Sequence, residues 1–236
     1  MCYSYKKPDL EWKQVENMPE KAMNSAKVTI GTKVYFLGGW TNHPSNLSFI
    51  YDSATSTWSE GVKLTLGRTN HCAVTFKGKI IITGGKITQS GSGSSHISTV
   101  EEFDPDKSSW TSLPSMQLKR ESHGCSLYNL AGKNVLVVIG GTGEHNDTEI
   151  SVEYLDLDAP TQWIFLNPVH TPRCCWPQVA MIHDQLQVMS GEKKPSEVIE
   201  IFNSQTMDWE DAGYTTQARR LQSSGTHVPH DFLNCF

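Results

Sequence analysis

Arginine recurs in phase along this chain, at a spacing of roughly 50 residues. The four positions are Arg68, Arg120, Arg173 and Arg220. A guanidinium group binds a carboxylate through two parallel hydrogen bonds, so a cluster of these side chains would grip an acidic peptide. A residue that recurs so regularly could instead hold the scaffold together by bonding backbone carbonyls between repeats. The sequence leaves both interpretations open.

Polar and aromatic residues close to the arginines complete a candidate binding site. Exposed tryptophan beside arginine is a common energetic anchor of protein interfaces. The sequence therefore predicts a partner-binding set made of the four arginines and their neighbours. These neighbours are Asn70, His71, Ser122, His123 and Trp176, together with Trp40.

The sequence predicts no catalytic residue, metal ligand or cofactor. It contains no glycine-rich phosphate loop, serine nucleophile elbow or HExxH motif. Glu101 and Glu102 are neighbours on one expected strand and would point to opposite faces, so they cannot act as one acid–base pair. His43, His96 and His145 fall in corresponding segments of unequal length. Nothing in those segments constrains the three rings to converge on a metal.

Two further residue types recur in phase with each other, which indicates that one structural unit has been copied. A tryptophan series runs through Trp12, Trp58, Trp110, Trp163 and Trp209, all expected to be core residues. A glycine series runs through Gly38-Gly39, Gly84-Gly85, Gly140-Gly141 and the variant Ser190-Gly191. Serine can replace the first glycine if Ser190 avoids a positive φ, and that is the expectation.

Each double glycine follows a short run of β-branched and aromatic residues, which is typical of a buried strand. Ile80-Ile81-Ile82-Thr83 is one such run, and a turn signal at Lys77-Gly78 separates it from the apolar run Cys72–Phe76. This pattern predicts a hairpin. A third strand and a fourth, tryptophan-bearing strand then complete a four-stranded antiparallel sheet. One such sheet cannot bury both of its faces alone, so the copies must pack against one another.

The chain resembles the kelch-repeat family in these features: an apolar strand, a double glycine, then an aromatic residue followed by tryptophan. The resemblance covers nearly the whole sequence and implies an all-β fold, a kelch-type β-propeller with one blade per repeat. We expect one domain over 1–236, with full blades at 21–66, 67–118, 119–170 and 171–215. The segments 216–236 and 1–20 are expected to share a fifth, closing blade, with two strands from each terminus. Kelch propellers usually have six or seven blades, so part of a larger ring is the alternative.

The cysteines suggest one covalent link. Sharing the closing blade would bring Cys2 toward Cys235, and a disulfide there would fasten the ring. Two free thiols are the other interpretation. Cys72 and Cys125 lie in strand-like apolar runs and are interpreted as small buried hydrophobic residues.

Composition narrows the class of partner. A net charge of −5 and scattered basic residues argue against nucleic acid, which needs clustered lysine and arginine. No apolar run approaches the ~20 residues of a membrane span, and the first residues lack the apolar stretch of a signal peptide. The sequence therefore predicts a cytoplasmic monomer, or an extracellular protein if the chain is a processed segment.

The preferred function is a noncatalytic scaffold that captures another protein, through an acidic or extended segment, on the face formed by the propeller's loops. The alternative is an enzyme. Some kelch-like propellers are metal-dependent oxidases or sugar-processing enzymes that act at the mouth of the central channel. Their metal and acid–base residues have no counterpart that we recognise in this sequence.

Overall fold

The computed structural model of the protein describes residues 2–6, 11–89, 93–145, 147–191, 198–214 and 231–235. Across these ranges the regular secondary structure consists of β-strands. No helix capable of crossing a membrane is found within them. The strands of the first half are β1 (Cys2–Lys6), β2 (Glu11–Val15), β3 (Ala26–Ile30), β4 (Lys33–Leu37), β5 (Ser48–Asp52), β6 (Thr57–Glu60), β7 (Cys72–Phe76), β8 (Lys79–Thr83), β9 (Lys86–Gln89), β10 (Gly93–His96), β11 (Val100–Asp104) and β12 (Ser109–Leu113).

The second half continues the same pattern. Its strands are β13 (Arg120–Glu121), β14 (Gly124–Leu130), β15 (Lys133–Ile139), β16 (Thr142–Gly143), β17 (Val152–Asp156), β18 (Trp163–Leu166), β19 (Gln178–Ile182), β20 (Gln185–Met189), β21 (Val198–Asn203), β22 (Asp208–Tyr214) and β23 (Asp231–Cys235). The all-β prediction is confirmed.

Four of the sheets are four-stranded antiparallel meanders, which we call blades 1 to 4. Their strand orders are β3-β4-β5-β6, β7-β8-β11-β12, β14-β15-β17-β18 and β19-β20-β21-β22. The first strand of each blade contacts the first strand of the next, β3 with β7, β7 with β14 and β14 with β19. The first strands therefore line a common axis, and the tryptophan-bearing fourth strands lie outermost. This is the predicted propeller arrangement.

Blades 1 to 3 bury both faces of their second strand, which explains why β4, β8 and β15 carry continuous apolar runs, whereas β20 of blade 4 is interrupted by Gln187. In β8, Ile80 and Ile82 pack with Tyr35 and Leu37 of blade 1. Ile81, one residue out of phase, packs on the other side with residues of blade 3 such as Leu136. Successive side chains of a strand point to opposite faces, so an alternating polar residue would have no solvated side to occupy.

The repeated tryptophans tie neighbouring blades together. The indole Nε1 of Trp58, Trp163 and Trp209 donates to a backbone carbonyl that precedes its blade, at Glu16 (2.8 Å), Pro114 (2.7 Å) and Asn167 (3.0 Å). Trp163 and Trp209 are buried, as expected for core residues. Trp58 and Trp110 are only half-buried. The side chain of Trp12 lies outside the described part of the chain.

The two ends of the chain share one sheet, of order β2-β1-β23, as predicted. The C-terminal strand pairs antiparallel with the N-terminal one, and Cys2 lies directly opposite Cys235 in the register. The disulfide between these two cysteines stays a prediction, since their side chains lie outside the described part. The remaining strand expected in this sheet falls within 215–230, which also lies outside it.

The double glycines allow two blades to approach closely. Gly38, Gly84 and Gly140 have φ of 58°, 57° and 65°, a region that residues with a Cβ seldom adopt. A Cβ on Gly84 would come within 2.6 Å of the carbonyl oxygen of Arg120, in the segment entering the next blade. The same oxygen accepts a hydrogen bond of 2.9 Å from Gly85 N–H. Glycine is required here both for its backbone conformation and for the missing side chain.

Ser190 corrects an expectation about the fourth copy. Its φ is 57°, so the prediction that it avoids a positive φ is wrong. Its carbonyl oxygen accepts a 2.7 Å hydrogen bond from Arg173 Nη1, the contact that Arg68 and Arg120 make to Gly84 and Gly140. Keeping this bond requires the glycine-like backbone even where the residue is serine.

Replacing Gly84 by alanine tests whether the close approach, in addition to the backbone conformation, requires glycine. Gly78 is the matched control, because it has φ of 77° and a Cβ added to it would meet no atom within 4 Å. Gly78→Ala should cost about 1–2 kcal/mol for the left-handed backbone alone. Gly84→Ala should cost at least about 2 kcal/mol more, since the Cβ displaces the Arg120 carbonyl. Urea unfolding gives both values, and equal losses in the two variants would contradict the account.

Candidate functional site

Two kinds of loop meet on one side of the propeller: the segments that enter each blade, and the loops that follow its second strand. In blade 1, Met23 and Trp40 exchange backbone hydrogen bonds of 2.9 and 2.6 Å. In blade 2, Thr69 N–H donates to the carbonyl oxygen of Lys86 over 3.0 Å. In blade 3 the same pairing forms the short ladder of β13 with β16. We call this side of the molecule the loop face.

A ring of backbone hydrogen bonds surrounds the axis on the loop face. Asn70 N–H donates to the Asn24 carbonyl (3.2 Å), Ser122 N–H to the Asn70 carbonyl (2.8 Å), and Trp176 N–H to the Ser122 carbonyl (2.8 Å). These residues immediately precede the innermost strands of blades 1 to 4, and all four have φ between 52° and 57°. We call Asn24, Asn70, Ser122 and Trp176 the channel-mouth ring.

Asn24 and Trp176 of the channel-mouth ring line a cavity of about 200 Å³, together with His71 and His123. Its walls continue into the first residues of the innermost strands, among them Lys27, Cys72, Cys125 and Gln178. Lys27 Nζ lies 5.7 Å from the centroid of the Phe36 ring, and burial lowers the pKa of this amine. The cavity is therefore a polar space at the centre of the loop face.

The recurrent arginines lie inside the protein instead of facing this cavity. Arg68 is 1% exposed, and its Nη2 lies 2.6 Å from Oε2 of Glu101. Its Nη1 donates to the carbonyl oxygens of Gly84 (3.1 Å) and Thr99 (3.3 Å). Burial lowers the pKa of Arg68, and the Glu101 carboxylate acts in the opposite direction. The arginine thus joins the entering segment to the second and third strands of its own blade.

Blades 3 and 4 repeat this arrangement. Nη2 of Arg120 lies 2.8 Å from Glu153 Oε1, and Nη2 of Arg173 lies 2.8 Å from Glu200 Oε1. Both glutamates also accept backbone N–H groups of the segment entering their blade, for example Gln117 N–H to Glu153 Oε2 at 2.7 Å. All four side chains are completely buried. A buried ion pair is tolerated when its other polar groups are hydrogen-bonded, and most of them are bonded here, although Arg120 Nε has no hydrogen-bond partner among the described residues.

These positions correct the predicted partner-binding set. The guanidinium groups of Arg68, Arg120 and Arg173 cannot reach a partner, because burial and internal hydrogen bonds occupy them. The guanidinium groups bond backbone carbonyls, as in the second interpretation, but these carbonyls belong to the blade that each arginine enters and not to a neighbouring blade. Arg220 lies outside the described residues.

His71 and His123 are also buried, at 7% and 4% exposure, and do not present their rings to a partner. His123 Nε2 and Thr83 Oγ1 share a hydrogen bond of 2.8 Å. The residue of blade 1 that matches Thr83 is Leu37, so the ring of His71 has no described hydrogen-bond partner. Burial and the charge of Arg120 lower the pKa of His123 to about 3. Burial, Arg68 and His123 hold the pKa of His71 well below its usual range.

The remaining members of the predicted set do lie on the loop face. Asn70, Ser122 and Trp176 are brought together in the channel-mouth ring, although Ser122 is 6% exposed and contributes mainly backbone. Trp40 is half-buried and pairs with Met23, next to Asn24 of the ring. These four residues therefore lie on the loop face, whereas the charged arginine side chains of the predicted set point into the protein.

Sequence reasoning missed two groups of residues. Glu121 accepts hydrogen bonds from Asn70 Nδ2 (2.7 Å) and Lys86 Nζ (3.3 Å), and pairs with His96 Nε2 at 3.0 Å. No repeat signal marks this cluster, since the matching residue of blade 2 is Thr69. The second group, the glutamates that pair with the arginines, does recur in phase. Each precedes the aromatic residue or leucine of the third strand by two positions, at Glu101, Glu153 and Glu200.

The three loop histidines do not form a metal site in the part of the chain that the structure describes. There, His170, Glu200 and Asp211 are the group of possible ligands that lies within 4.8 Å, and none of the three loop histidines belongs to it. Glu200 is already paired with Arg173, so its negative charge is neutralised and is not available to bind a metal cation. His96 is buried against Glu121, while His43 and His145 are exposed.

The cysteines differ from the sequence interpretation. Cys72 and Cys125 are half-buried and form a disulfide between the innermost strands of blades 2 and 3, so their assignment as small hydrophobic residues is wrong. They become neighbours only when β7 and β14 pack around the axis. Cys174 and Cys175 form a second disulfide directly before Trp176.

Four-stranded blades that pack around a common axis, with the same kind of contact between each pair of neighbouring blades, define a β-propeller. A family model described as "Kelch motif" matches residues 67–117, which is blade 2. A solved structure titled "Structure of YjhT" superposes with a TM-score of 0.71 at 14% identity, covering 86% of this chain and 68% of that one. The chain thus carries a kelch motif over residues 67–117 and has a β-propeller fold.

Curated relatives carry the same family name. Kelch-like protein 23 of Homo sapiens is 28% identical over 128 residues, which cover 54% of this chain and 22% of the relative. Kelch-like protein 41b of Danio rerio is 28% identical over 139 residues, covering 56% and 22%. The aligned region is thus less than a quarter of each relative's length.

Breaking one buried ion pair tests the scaffold role of the arginines. Arg120→Ala leaves the Glu153 carboxylate buried without its charge partner, which should cost about 3–5 kcal/mol of unfolding free energy. The double variant Arg120→Met/Glu153→Leu removes both charges at similar volume and should lose much less. Blade 1 already carries an apolar pair, Ala22 and Phe49, at the matching positions. A single-variant loss below about 1 kcal/mol in urea unfolding would place the arginine outside the scaffold.

Acid should destabilise the protein partly through His123. Its pKa is near 6.5 when unfolded and about 3 when folded, so only the unfolded state takes up the proton in between. Wild-type stability should therefore fall, through this group alone, by about 1.4 kcal/mol per pH unit from about pH 6 to pH 4. His123→Gln can still bond Thr83 but cannot titrate, so its stability should fall less steeply by that amount. His43→Gln, at an exposed site, is the control, and parallel slopes for wild type and His123→Gln would refute the assignment.

Proposed function

We propose that the protein is a noncatalytic scaffold that captures a partner protein or peptide on the loop face. The observation that carries this proposal is the set of apolar side chains exposed there. Met23 is 64% exposed, Ile150 is 41% exposed and Leu66 is 39% exposed, and all three lie in segments that enter a blade or follow its second strand. Exposed apolar groups in the loops of one face are typical of interaction sites.

Two tryptophans supply anchors among these apolar residues. Trp40 and Trp176 are half-buried, so each keeps part of its indole surface available while its backbone is fixed by hydrogen bonds. A fixed aromatic side chain loses little conformational entropy on binding, and tryptophan is enriched among residues that dominate interface energetics. The cavity that Trp176 lines offers a recess at the centre of the surface for one partner side chain.

The structure changes the expected chemistry of the partner. The acidic preference depended on arginine charges, and three of these are neutralised internally by Glu101, Glu153 and Glu200. Basic groups on the loop face are also engaged, since Lys119 Nζ lies 2.6 Å from Glu144 Oε1 and Lys86 lies 3.3 Å from Glu121. The proposal therefore keeps an extended segment of the partner and replaces acidic with apolar anchor residues.

The noncatalytic part of the proposal is supported by the state of the ionisable groups near the cavity. Glu121 is saturated by Asn70, Lys86 and His96, and His123 is held neutral against Thr83. Groups fixed in internal pairs are poor proton carriers for a bound substrate. The two disulfides favour the extracellular alternative over the cytoplasm, where thiols are kept reduced.

Site-specific photocrosslinking tests the function. A benzophenone side chain at Met23 or Ile150 should crosslink the same protein from native extract, and at Phe165 it should not. Phe165 is the matched control, since it is 47% exposed but lies on the outermost strand of blade 3. Aspartate at position 23 or 150 should lower capture of that protein at least about tenfold, the loss expected for an anchor residue. Capture that survives both substitutions and is lost with Phe165→Asp would place the binding surface elsewhere.

A further inference from the structure

Blade 4 enters the channel-mouth ring with one residue more than its neighbours. The ring residue follows the arginine by two positions in blade 2, from Arg68 to Asn70, and in blade 3, from Arg120 to Ser122. In blade 4 it follows by three, from Arg173 to Trp176. The extra residue belongs to the pair Cys174-Cys175, whose sulfur atoms are joined.

The segment around this pair is fixed on both sides. The Arg173 carbonyl accepts a 2.7 Å hydrogen bond from Gly141 N–H, and the Cys174 carbonyl accepts one of 3.1 Å from Thr142 Oγ1. Cys175 N–H donates to the Gly191 carbonyl over 2.9 Å. The Arg173 carbonyl bond and the bond from Trp176 N–H to the Ser122 carbonyl match those of the shorter segments. Because both ends are held alike, the additional residue has to be accommodated between them, where the two adjacent cysteines close their small ring.

Trp176 adopts the same left-handed backbone as Asn24, Asn70 and Ser122, but with a bulkier side chain. Its φ is 52°, although it has a bulky side chain and precedes Pro177. Large residues seldom adopt the left-handed region, and a residue before proline is further restricted toward extended backbone. Such a conformation persists only where the surroundings impose it, and strained residues of this kind concentrate at switch regions and ligand sites. The disulfide is the covalent constraint immediately before it.

We propose that the Cys174–Cys175 disulfide is a thiol-responsive switch that sets the position of Trp176 and thereby the shape of the channel mouth. A thiolate of a small thiol or a dithiol protein attacks the Cys175 sulfur, and the Cys174 sulfur leaves as a thiolate that takes up a proton. A second thiol then displaces Cys175 from the mixed disulfide. The protein gains two thiols, and the two reductant thiols become one disulfide.

The geometry makes this disulfide reachable and gives its reduction a consequence. Cys174 is 2% exposed, whereas Cys175 is half-buried at the loop face, so a reductant meets Cys175 first. Opening the small ring frees the additional residue, and Trp176 can then leave its left-handed backbone and its bond to Ser122. Trp176 lines the cavity, so the cavity changes with it. The switch stands whether or not a protein occupies the loop face.

The Cys72–Cys125 disulfide has a different character and supplies the background for the test. It joins residues 53 apart in sequence on the innermost strands β7 and β14. A link across so long a loop stabilises the folded state chiefly by restricting the unfolded chain. A Cys72→Ser/Cys125→Ser variant of the full chain should be less stable but should keep the response at Trp176.

Hydrogen exchange of individual amides measures the switch in that background. Addition of dithiothreitol should accelerate exchange of the Trp176 amide at least about tenfold, because its hydrogen bond to Ser122 then opens locally. The amides of Asn70 and Ser122 serve as internal controls and should change little. Further replacement by Cys174→Ser/Cys175→Ser should give fast Trp176 exchange without reductant and no further response to it.

A chemical probe completes the experiment. Phenylarsine oxide binds adjacent reduced thiols, so peptide mapping should find it on 174–175 only after reduction. Unchanged Trp176 exchange on reduction, slow exchange in the doubly substituted serine variant, or free thiols at 174–175 in the air-oxidised protein would each overturn the proposal.

Discussion

The carbonyl oxygen of an arginine, seated where the first glycine of the preceding blade has no side chain, is the contact on which the propeller depends. Gly39, Gly85 and Gly141 each donate a backbone hydrogen bond to that oxygen, at Arg68, Arg120 and Arg173, over 2.7 to 2.9 Å. The guanidinium group of the same arginine binds the glycine-bearing loop and a buried glutamate of its own blade. Each arginine therefore connects two blades, because its backbone carbonyl bonds to the preceding blade and its side chain bonds to the blade that it enters.

This junction decides what remains for function. The guanidinium charges of Arg68, Arg120 and Arg173 are paired inside the protein, so these three side chains are not available to a partner on the loop face. That face presents backbone loops, exposed apolar side chains such as Met23 and Ile150, and the half-buried Trp40 and Trp176, of which Trp176 lines the small cavity. The buried ion pairs contribute rigidity and register more than net stability. Rigid presentation of loops is what an interaction surface needs, because a preorganised site loses less entropy on binding.

Local sequence patterns predicted the blades. The pairing of charged residues and of cysteines that lie far apart in the sequence was not predicted from those patterns. The alternation of apolar runs, turns, double glycines and tryptophans specifies strands and their phase, so the meanders and the shared terminal sheet were predictable. The direction of Arg68 depends on Glu101, which lies 33 residues away, and the Cys72–Cys125 pairing depends on how two blades pack. The glutamates recur in phase, so aligning the repeats on charge as well as on glycine would have predicted the ion pairs. The glycines at the matching positions of the other repeats, Gly38, Gly84 and Gly140, would have indicated the positive φ of Ser190.

Amide hydrogen exchange at the double glycines tests this account most directly. If the interblade junction holds the ring, the N–H groups of Gly39, Gly85 and Gly141 should exchange only through global unfolding. They should then be as slow as amides of the central core strands, such as that of Val137 in β15. Exchange of these three amides through local opening, far faster than Val137, would show that the blades are held by their apolar faces alone and would contradict the central claim.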